Sequence, residues 1–428
     1  MMNISELHKL FLQGDGICTD TRALKSNTLF FALKGENFNG NNFAAQALDA
    51  GCNYAIIDEE ENAVSDKCIL VNSVLQTLQD LANYHRKQFD IPVLCITGSN
   101  GKTTCKELIG AVLEKKFNLL MTKGNLNNHL GVPFTLLGIN ESHEFALIET
   151  GANKPGDIKE LVEIAEPTYG VITNIGAAHI EGFGSLEGVE KTKTEMYDFI
   201  SAKEGVLFYN SSDPILLRNL PKNTTNIAFG LEKGTVVGKL VSLDPYVKFK
   251  WSKEDYDSEV VATNLVGKYN LLNFLTATVI GDHFGVSSQD INDALSTYSP
   301  SNNRSQVTKT VINTLIVDCY NANATSMKAA LESFSEMEGQ SKLAIIGDML
   351  ELGQISTDEH QKIADQAKDL GIEAWLVGGE FGKVKSDFKK FDGAIEVIEE
   401  LRTNSQSQKL ILLKGSRGIR LEKLIEHL

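Results

Sequence analysis

The segment Thr97-Gly98-Ser99-Asn100-Gly101-Lys102-Thr103-Thr104 carries the sharpest chemical content in the chain. A short β-rich run, Pro92–Thr97, precedes it, and a helical pattern runs from Thr103 to about Lys116. Glycines at such a junction permit a tight turn and close approach of backbone to a ligand. Successive backbone N–H groups can then cradle phosphate oxygens, and the positive end of the helix adds to the attraction. Lys102 is placed to reach the β- and γ-phosphates of a nucleotide, and the Thr103 hydroxyl to bind Mg²⁺. The spacing is GxxGKT, with Ile96 five residues before Gly101, so the segment reads as a shortened phosphate loop. The expected nucleotide-binding set is Gly98, Ser99, Asn100, Gly101, Lys102, Thr103 and Thr104.

A nucleotide with Mg²⁺ needs further oxygen ligands. Glu149 ends the strand pattern Phe145–Glu149, and carboxylates at strand C-termini face the ligand crevice of open sheets. An ordinary strand-end acid is the alternative. His179 follows the strand pattern 170–174 and the small-residue turn 175–178; a lone histidine is more often structural than a ligand. Lys191 and Lys193 read by themselves as a solvated helix face.

The elements around these residues form three units of α/β class. Residues 1–89 read as a small α/β domain, with strands at Thr28–Leu33 and Tyr54–Ile57 and helices at Phe43–Ala50 and Val74–Arg86. Residues 90–300 read as a central, parallel-sheet ATPase-like domain. It includes the helix Asp157–Ala165, a hairpin around Asp244–Pro245, and helices Tyr269–Phe284 and Ser288–Tyr298. Residues 301–428 alternate strands (Leu315–Asp318, Leu343–Gly347, Ala374–Val377, Leu410–Leu413) with helices (Ser326–Glu338, Thr357–Leu370, Ala394–Thr403, Arg417–His427), the pattern of a Rossmann-like doubly wound sheet. The stretch Gly378–Gly382 lacks the GxGxxG spacing of a dinucleotide fingerprint.

Composition narrows the function classes. The chain has 428 residues with a net charge of −15, which argues against a general nucleic-acid binder. No apolar run approaches the ~20 residues that span a bilayer, and no signal-peptide h-region is visible, so neither membrane insertion nor secretion is expected. Six scattered cysteines without a CxxC pair fit a reducing cytoplasm.

Taken together, these segments resemble the Mur ligases, the ATP-dependent amide-forming enzymes of peptidoglycan synthesis. The resemblance spans nearly the whole chain. It runs through TGSNGKTT, ETGANKPGDI from Glu149, NIGAAHIEGFGSLEGVEKTKTE from Asn174 and GKYNLLNFLTA from Gly267. It continues in NRSQ from Asn303, VDCYNANATSMKAAL from Val317, GDMLELG from Gly347 and LLKGSRGIRLEKL near the end. Within the family the chain is most similar to the type that adds D-alanyl-D-alanine to UDP-N-acetylmuramoyl-tripeptide. TGSNGKTT, TKGNLNNHLGVP from Thr122 and YNANATSM from Tyr320 favour that type, and the DNPR motif of the diaminopimelate-adding relatives is missing. The competing readings are another Mur-type or folylpolyglutamate-type ligase, or a P-loop NTPase with no muramyl acceptor.

The resemblance implies a cytoplasmic ADP-forming ligase with ATP and Mg²⁺, acting through an acyl phosphate; oligomeric state does not follow from the sequence, and monomer is favoured. It implies Lys102, His179 and Lys193 as catalytic residues. One Mg²⁺ would lie on Thr103 and Glu149, and a second on His179 and a carbamylated lysine. Lys193 matches that lysine best, with Lys191 as the alternative. Adenine would lie near Asn270 and Asn273, the ribose on Asp318 and the γ-phosphate near Arg304. Asn125 and Asn128 would line the muramyl-peptide groove, and Asp20 and Arg22 would meet the uridine or its phosphates. Lys414, Ser416 and Arg417 would bind the dipeptide carboxylate, and Asp348 or His360 would serve its ammonium; surface or capping roles are the alternatives for these last positions.

Overall fold

The computed structural model describes residues 2–300, 303–338 and 341–428, so the domain start expected at residue 301 lies outside the described residues. The chain gathers into two compact units whose division falls inside one strand, Val93–Thr97. The first unit takes the chain up to Cys95 with Asn118–Thr150 and Lys159–Thr168; the second takes Ile96–Phe117, Gly151–Ile158 and Tyr169–Leu428.

The first unit holds an all-parallel sheet in the order Ile17–Cys18, Leu29–Phe31, Tyr54–Ile57, Cys68–Leu70. Leu29, Phe30 and Phe31 are all buried, as a parallel strand covered on both faces requires. The helix Ile4–Gln13, absent from the expectations above, starts at a capping box in which Asn3 and Glu6 satisfy each other's backbone N–H. The helix Val74–Arg86 lies where its pattern placed it, capped by Ser73. The two helices meet at a buried histidine pair: His8 Nε2 stands 2.9 Å from His85 Nδ1, and His85 Nε2 stands 2.8 Å from the Ile139 carbonyl oxygen. A carbonyl only accepts, so His85 Nε2 carries the proton and its Nδ1 accepts from His8. The strand Leu119–Met121 runs parallel to Phe145–Glu149 in the same unit.

In the second unit, Tyr169–Ile172, Val206–Asn210, Thr225–Gly230 and Val236–Ser242 pair in succession, all parallel. Lys248–Lys253 returns antiparallel around the expected Asp244–Pro245 turn. The helices Lys102–Leu113 and Asn270–His283 pack closely; a Cβ at Gly281 would lie 2.3 Å from Val112, so only glycine allows that approach.

The segment from Asn303 onward forms a six-stranded sheet in the order Gln306–Lys309, Thr314–Asp318, Leu410–Lys414, Lys342–Gly347, Glu373–Val377, Lys389–Phe391. Its first strand is antiparallel and the rest parallel. Met327, Leu331, Phe334 and Ile363 cover one face, and Val397, Leu401, Leu421 and Leu424 the other. This is the doubly wound arrangement the alternation implied, and Asp318 and Lys414 stand side by side at the C-terminal ends of paired strands. The expected helix Arg417–His427 is instead two 3₁₀ turns, Arg417–Ile419 and Leu421–His427. Arg420 breaks them with φ of 61°, and Leu421 and Leu424, three apart, match the 3₁₀ period as they enter the core. No helix among the described residues is long and apolar enough to cross a membrane.

Candidate active site

The phosphate loop is shaped by its neighbours. Gly98 has φ of 146°, and a Cβ there would meet Thr173 Oγ1 at 1.9 Å. The Ser99 hydroxyl donates to the Gly176 carbonyl and accepts from the Gly176 N–H, both at 2.9 Å. Asn174 binds the loop three ways: its carbonyl takes the Ser99 N–H at 2.9 Å, its Oδ1 takes the Asn100 N–H at 3.1 Å, and its Nδ2 donates to the Asn100 carbonyl at 3.0 Å. The Thr173 hydroxyl donates to the same carbonyl at 2.7 Å. The N–H groups of Ser99 and Asn100 are therefore spent on fixing the loop. The phosphate cradle expected along the whole loop contracts to the start of the helix Lys102–Leu113, where Gly101 sits left-handed at φ 79°. Lys102 Nζ curls over the loop and donates to the Gly98 carbonyl at 2.7 Å.

Asn273 reaches this cradle, since a Cβ on Gly101 would lie 3.1 Å from its Oδ1. The base-edge role expected for Asn270 does not fit. Its Oδ1 accepts from Asn273 at 2.8 Å, its Nδ2 donates to the Val266 carbonyl at 2.7 Å, and it is 1% exposed. Asn270 is the buttress that orients Asn273.

His179 opens the short helix Ile180–Phe183 in left-handed conformation, φ 53°. Ser185 then caps the helix Leu186–Ala202. That helix exposes Lys191 and buries Lys193, which is 1% exposed, with Nζ 5.7 Å from the Phe183 ring centroid. Burial pushes the Lys193 amine well below the ordinary lysine range, and the positive charge of Lys102 adds to this; Asp157 opposes it.

Residues from the segment beyond Asn303 approach this edge. Asn323 Nδ2 donates to Asn100 Oδ1 at 2.7 Å, and the Ala177 N–H donates to Thr325 Oγ1 at 3.3 Å. Glu351 pairs with His179 Nδ1. The Arg304 guanidinium lies 3.8 Å from the Tyr320 ring centroid, with Arg417 at 5.7 Å from the same ring. Asp318 accepts from Lys414 Nζ at 2.7 Å and from the Ser305 N–H at 3.3 Å.

The substrate-ammonium roles expected for Asp348 and His360 meet a different arrangement. Asp348 accepts the N–H groups of Glu380 at 2.9 Å and Phe381 at 2.8 Å, so its carboxylate fills the helix start within Gly378–Gly382. His360 is fully buried; its Nε2 accepts the Met349 N–H at 2.9 Å while its Nδ1 donates to the Ser356 carbonyl at 2.7 Å. The Ser416 hydroxyl accepts the Leu350 N–H at 3.0 Å. These three residues build the loop Asp348–Leu352 rather than a ligand surface.

Family models match three successive stretches of the chain: "Mur ligase family, catalytic domain" at residues 15–91, "Mur ligase middle domain" at 96–281 and "Mur ligase, glutamate ligase domain" at 303–417. The UDP-N-acetylmuramoyl-tripeptide–D-alanyl-D-alanine ligase of Bacillus subtilis (strain 168) is 32% identical, covering 96% of this chain and 93% of its own. The chain belongs to the Mur ligase family. Among solved structures, MurF from Acinetobacter baumannii superposes with a TM-score of 0.90 at 30% identity, over 99% of this Mur ligase and 98% of that chain. MurF from Thermotoga maritima in complex with ADP gives 0.88 at 27% identity, over 100% and 98%.

In the first unit of this Mur ligase, Glu149 is 1% exposed and accepts from Asn127 Nδ2 at 2.8 Å. Asn128 Oδ1 accepts the Gly131 N–H at 2.9 Å, at the start of the helix Gly131–Leu136, and Asn125 is exposed nearby in sequence. Asp20 and Arg22 pair with each other at 2.8 Å, and the Arg22 hydrogen bonds hold the Asp20 carboxyl at about 2. Sequence reasoning missed Asn127, Thr173, Asn174, Tyr320, Asn323 and Glu351. All but Thr173 lie in segments quoted for the family resemblance, but none is of a type or spacing that announces its partner.

Proposed function

We propose that this Mur ligase joins D-alanyl-D-alanine to UDP-N-acetylmuramoyl-tripeptide with conversion of ATP to ADP, in peptidoglycan precursor synthesis. The observation that carries the reading is the end-to-end similarity to ligases of that name, which covers the outer segments as well as the nucleotide loop. The substrate carboxylate attacks the γ-phosphorus, ADP leaves, and an acyl phosphate forms. The dipeptide amine then attacks the acyl carbon, and phosphate leaves from the tetrahedral intermediate. Carboxylate and triphosphate are both anionic, so Lys102 and the helix start behind it must offset the charge that gathers between them. Asn273, Asp318 and Arg304 are assigned to the adenine, the ribose and the γ-phosphate. Lys414 and Arg417 supply positive charge for the dipeptide carboxylate.

The donor set suits Mg²⁺ only with help. Among the described residues no group of three or more His, Cys, Asp or Glu is placed to hold a metal. The Thr103 hydroxyl is a hard oxygen donor for one ion, with phosphate oxygens completing it, and Glu149 is a carboxylate of the same hard class. His179 and Lys193 would hold a second if Lys193 is an anion. A buried, uncharged amine is the form that adds to CO₂, forming the N–C bond and losing a proton to give a carbamate. Bound Mg²⁺ would neutralise phosphate charge as it develops.

The test is ADP release by purified enzyme with UDP-N-acetylmuramoyl-tripeptide, with and without D-alanyl-D-alanine. Release that requires both supports the reading. Release without any muramyl substrate, or faster release with glutamate or diaminopimelate in place of the dipeptide, would overturn it.

A further inference from the structure

The loop Asp348–Leu352 ends on an exposed carboxylate with a defined target. Glu351 lies at φ 65° and pairs with Nδ1 of His179, itself at φ 53°. Left-handed backbone at a non-glycine residue costs on the order of 1 kcal/mol or more, and it persists where the surroundings over-determine it. Here they do. Behind Glu351, His360, Ser416 and the Asp348 carboxylate fix the loop by the hydrogen bonds described above. In front, the Glu181 N–H reaches the Glu351 carbonyl at 3.4 Å, and a Cβ on Gly353 would lie 3.4 Å from that of Glu181. The Glu351 side chain is 57% exposed, and a polar contact so exposed contributes little to stability. So much structure spent on a pair of low energetic worth points to a role in placing the imidazole.

We propose that Glu351 is a positioning residue for a metal-binding histidine. Its carboxylate takes the Nδ1–H of His179, fixes that tautomer, and turns the Nε2 lone pair toward a divalent cation. Nε2 has no hydrogen-bond partner among the described residues. A carboxylate behind a ligating imidazole raises its basicity and holds its ring orientation. Glu351 belongs to the doubly wound segment and His179 to the segment that carries the phosphate loop. The cation site is therefore complete only when the two are docked, along the seam that also holds Asn323 to Asn100 and Thr325 to Ala177. The inference rests on His179 being a metal ligand, as proposed above.

The experiment uses full-length enzyme with Mn²⁺ as the probe, in the presence of a non-hydrolysable ATP analogue and UDP-N-acetylmuramoyl-tripeptide. Paramagnetic resonance counts bound Mn²⁺ and detects the ¹⁴N modulation of an imidazole ligand. Glu351→Ala should weaken the ¹⁴N-coupled site by roughly 10- to 100-fold, with the thermal midpoint unchanged. Glu351→Gln, which keeps an acceptor oxygen, should lose less. The Mg²⁺ concentration for half-maximal activity should rise by a similar factor, with kcat at saturating Mg²⁺ preserved. Unchanged affinity and modulation in both Glu351 variants, with both lost in His179→Ala, would overturn the positioning role alone. A persistent ¹⁴N-coupled site in His179→Ala would overturn the ligand assignment beneath it.

Discussion

Lys193 and Lys414 are both buried to within 2% of full enclosure, and they live in opposite circumstances. Lys414 ends a strand beside Asp318 and holds its carboxylate at 2.7 Å. Lys193, on the helix Leu186–Ala202, meets an aromatic ring and the field of a second lysine, Lys102. Burial lowers the Lys193 amine below the ordinary lysine range and the charge of Lys102 adds to this, against the opposing pull of Asp157. The first arrangement is a buried ion pair at the C-terminal ends of two paired strands. The second leaves an amine with a depressed pKa, the kind of perturbed group that clusters at functional sites.

The largest effect should follow removal of the cation that sets this contrast. Lys102→Ala should lower turnover by roughly 10²- to 10³-fold, the usual cost of removing a principal charge-stabilising donor. Near-normal ADP release would take the phosphate loop out of the mechanism. Next, Lys193→Ala should lose on the order of 10²-fold, with partial recovery in millimolar short carboxylates, while the exposed Lys191→Ala changes little. The loss moving to Lys191→Ala would transfer the role by two residues. Full activity in both would end the carbamate reading.

Stability should respond with opposite signs at the two lysines. Lys414→Met leaves Asp318 without its partner and should destabilise the fold by about 2–4 kcal/mol. Lys193→Met in CO₂-free buffer replaces a buried amine, with no hydrogen-bond partner among the described residues, by an apolar chain and should be neutral or stabilising by about 1 kcal/mol. Denaturant melts of the two variants measure this directly, and a fall of equal size in both would erase the distinction. The smallest effect extends the contrast to the histidines of the first unit. Burial holds both His8 and His85 below the ordinary histidine range, and His85 adds to this at His8. The unfolded chain then binds more protons than the native one, so stability is full above pH 6.5 and falls as pH drops below it. His8→Phe should flatten that slope in melts between pH 7 and 5, and an unaltered slope would discount the pair.

Strong local patterns were readable in advance. Tyr54–Ile57, Val74–Arg86, Phe145–Glu149, Asp157–Ala165 and Ala394–Thr403 lie at the residues their periodicity marks. The strand–loop–helix around Lys102 also stands where its glycines put it. Side-chain roles were less legible because they depend on partners distant in sequence. Asn270 and Asn273 look equivalent on a helix, yet Val266 and Gly101 give them different work. Asp348 and His360 look like ligands until the backbone N–H groups that occupy them are seen. Glu351 carries no motif by itself; its significance appears only with His179 beside it, 172 residues earlier in the chain.

The division inside Val93–Thr97 also bears on synthesis. The first unit draws on three stretches of chain and is not complete until Thr168. Its opening helix rests on His85, whose ring waits for the carbonyl of Ile139. As the polypeptide leaves the ribosome, the first 95 residues alone lack part of their own packing. Nucleotide-loop residues must therefore emerge before the N-terminal fold can close, and a fragment ending at Cys95 should be protease-sensitive where one ending after Thr168 is protected.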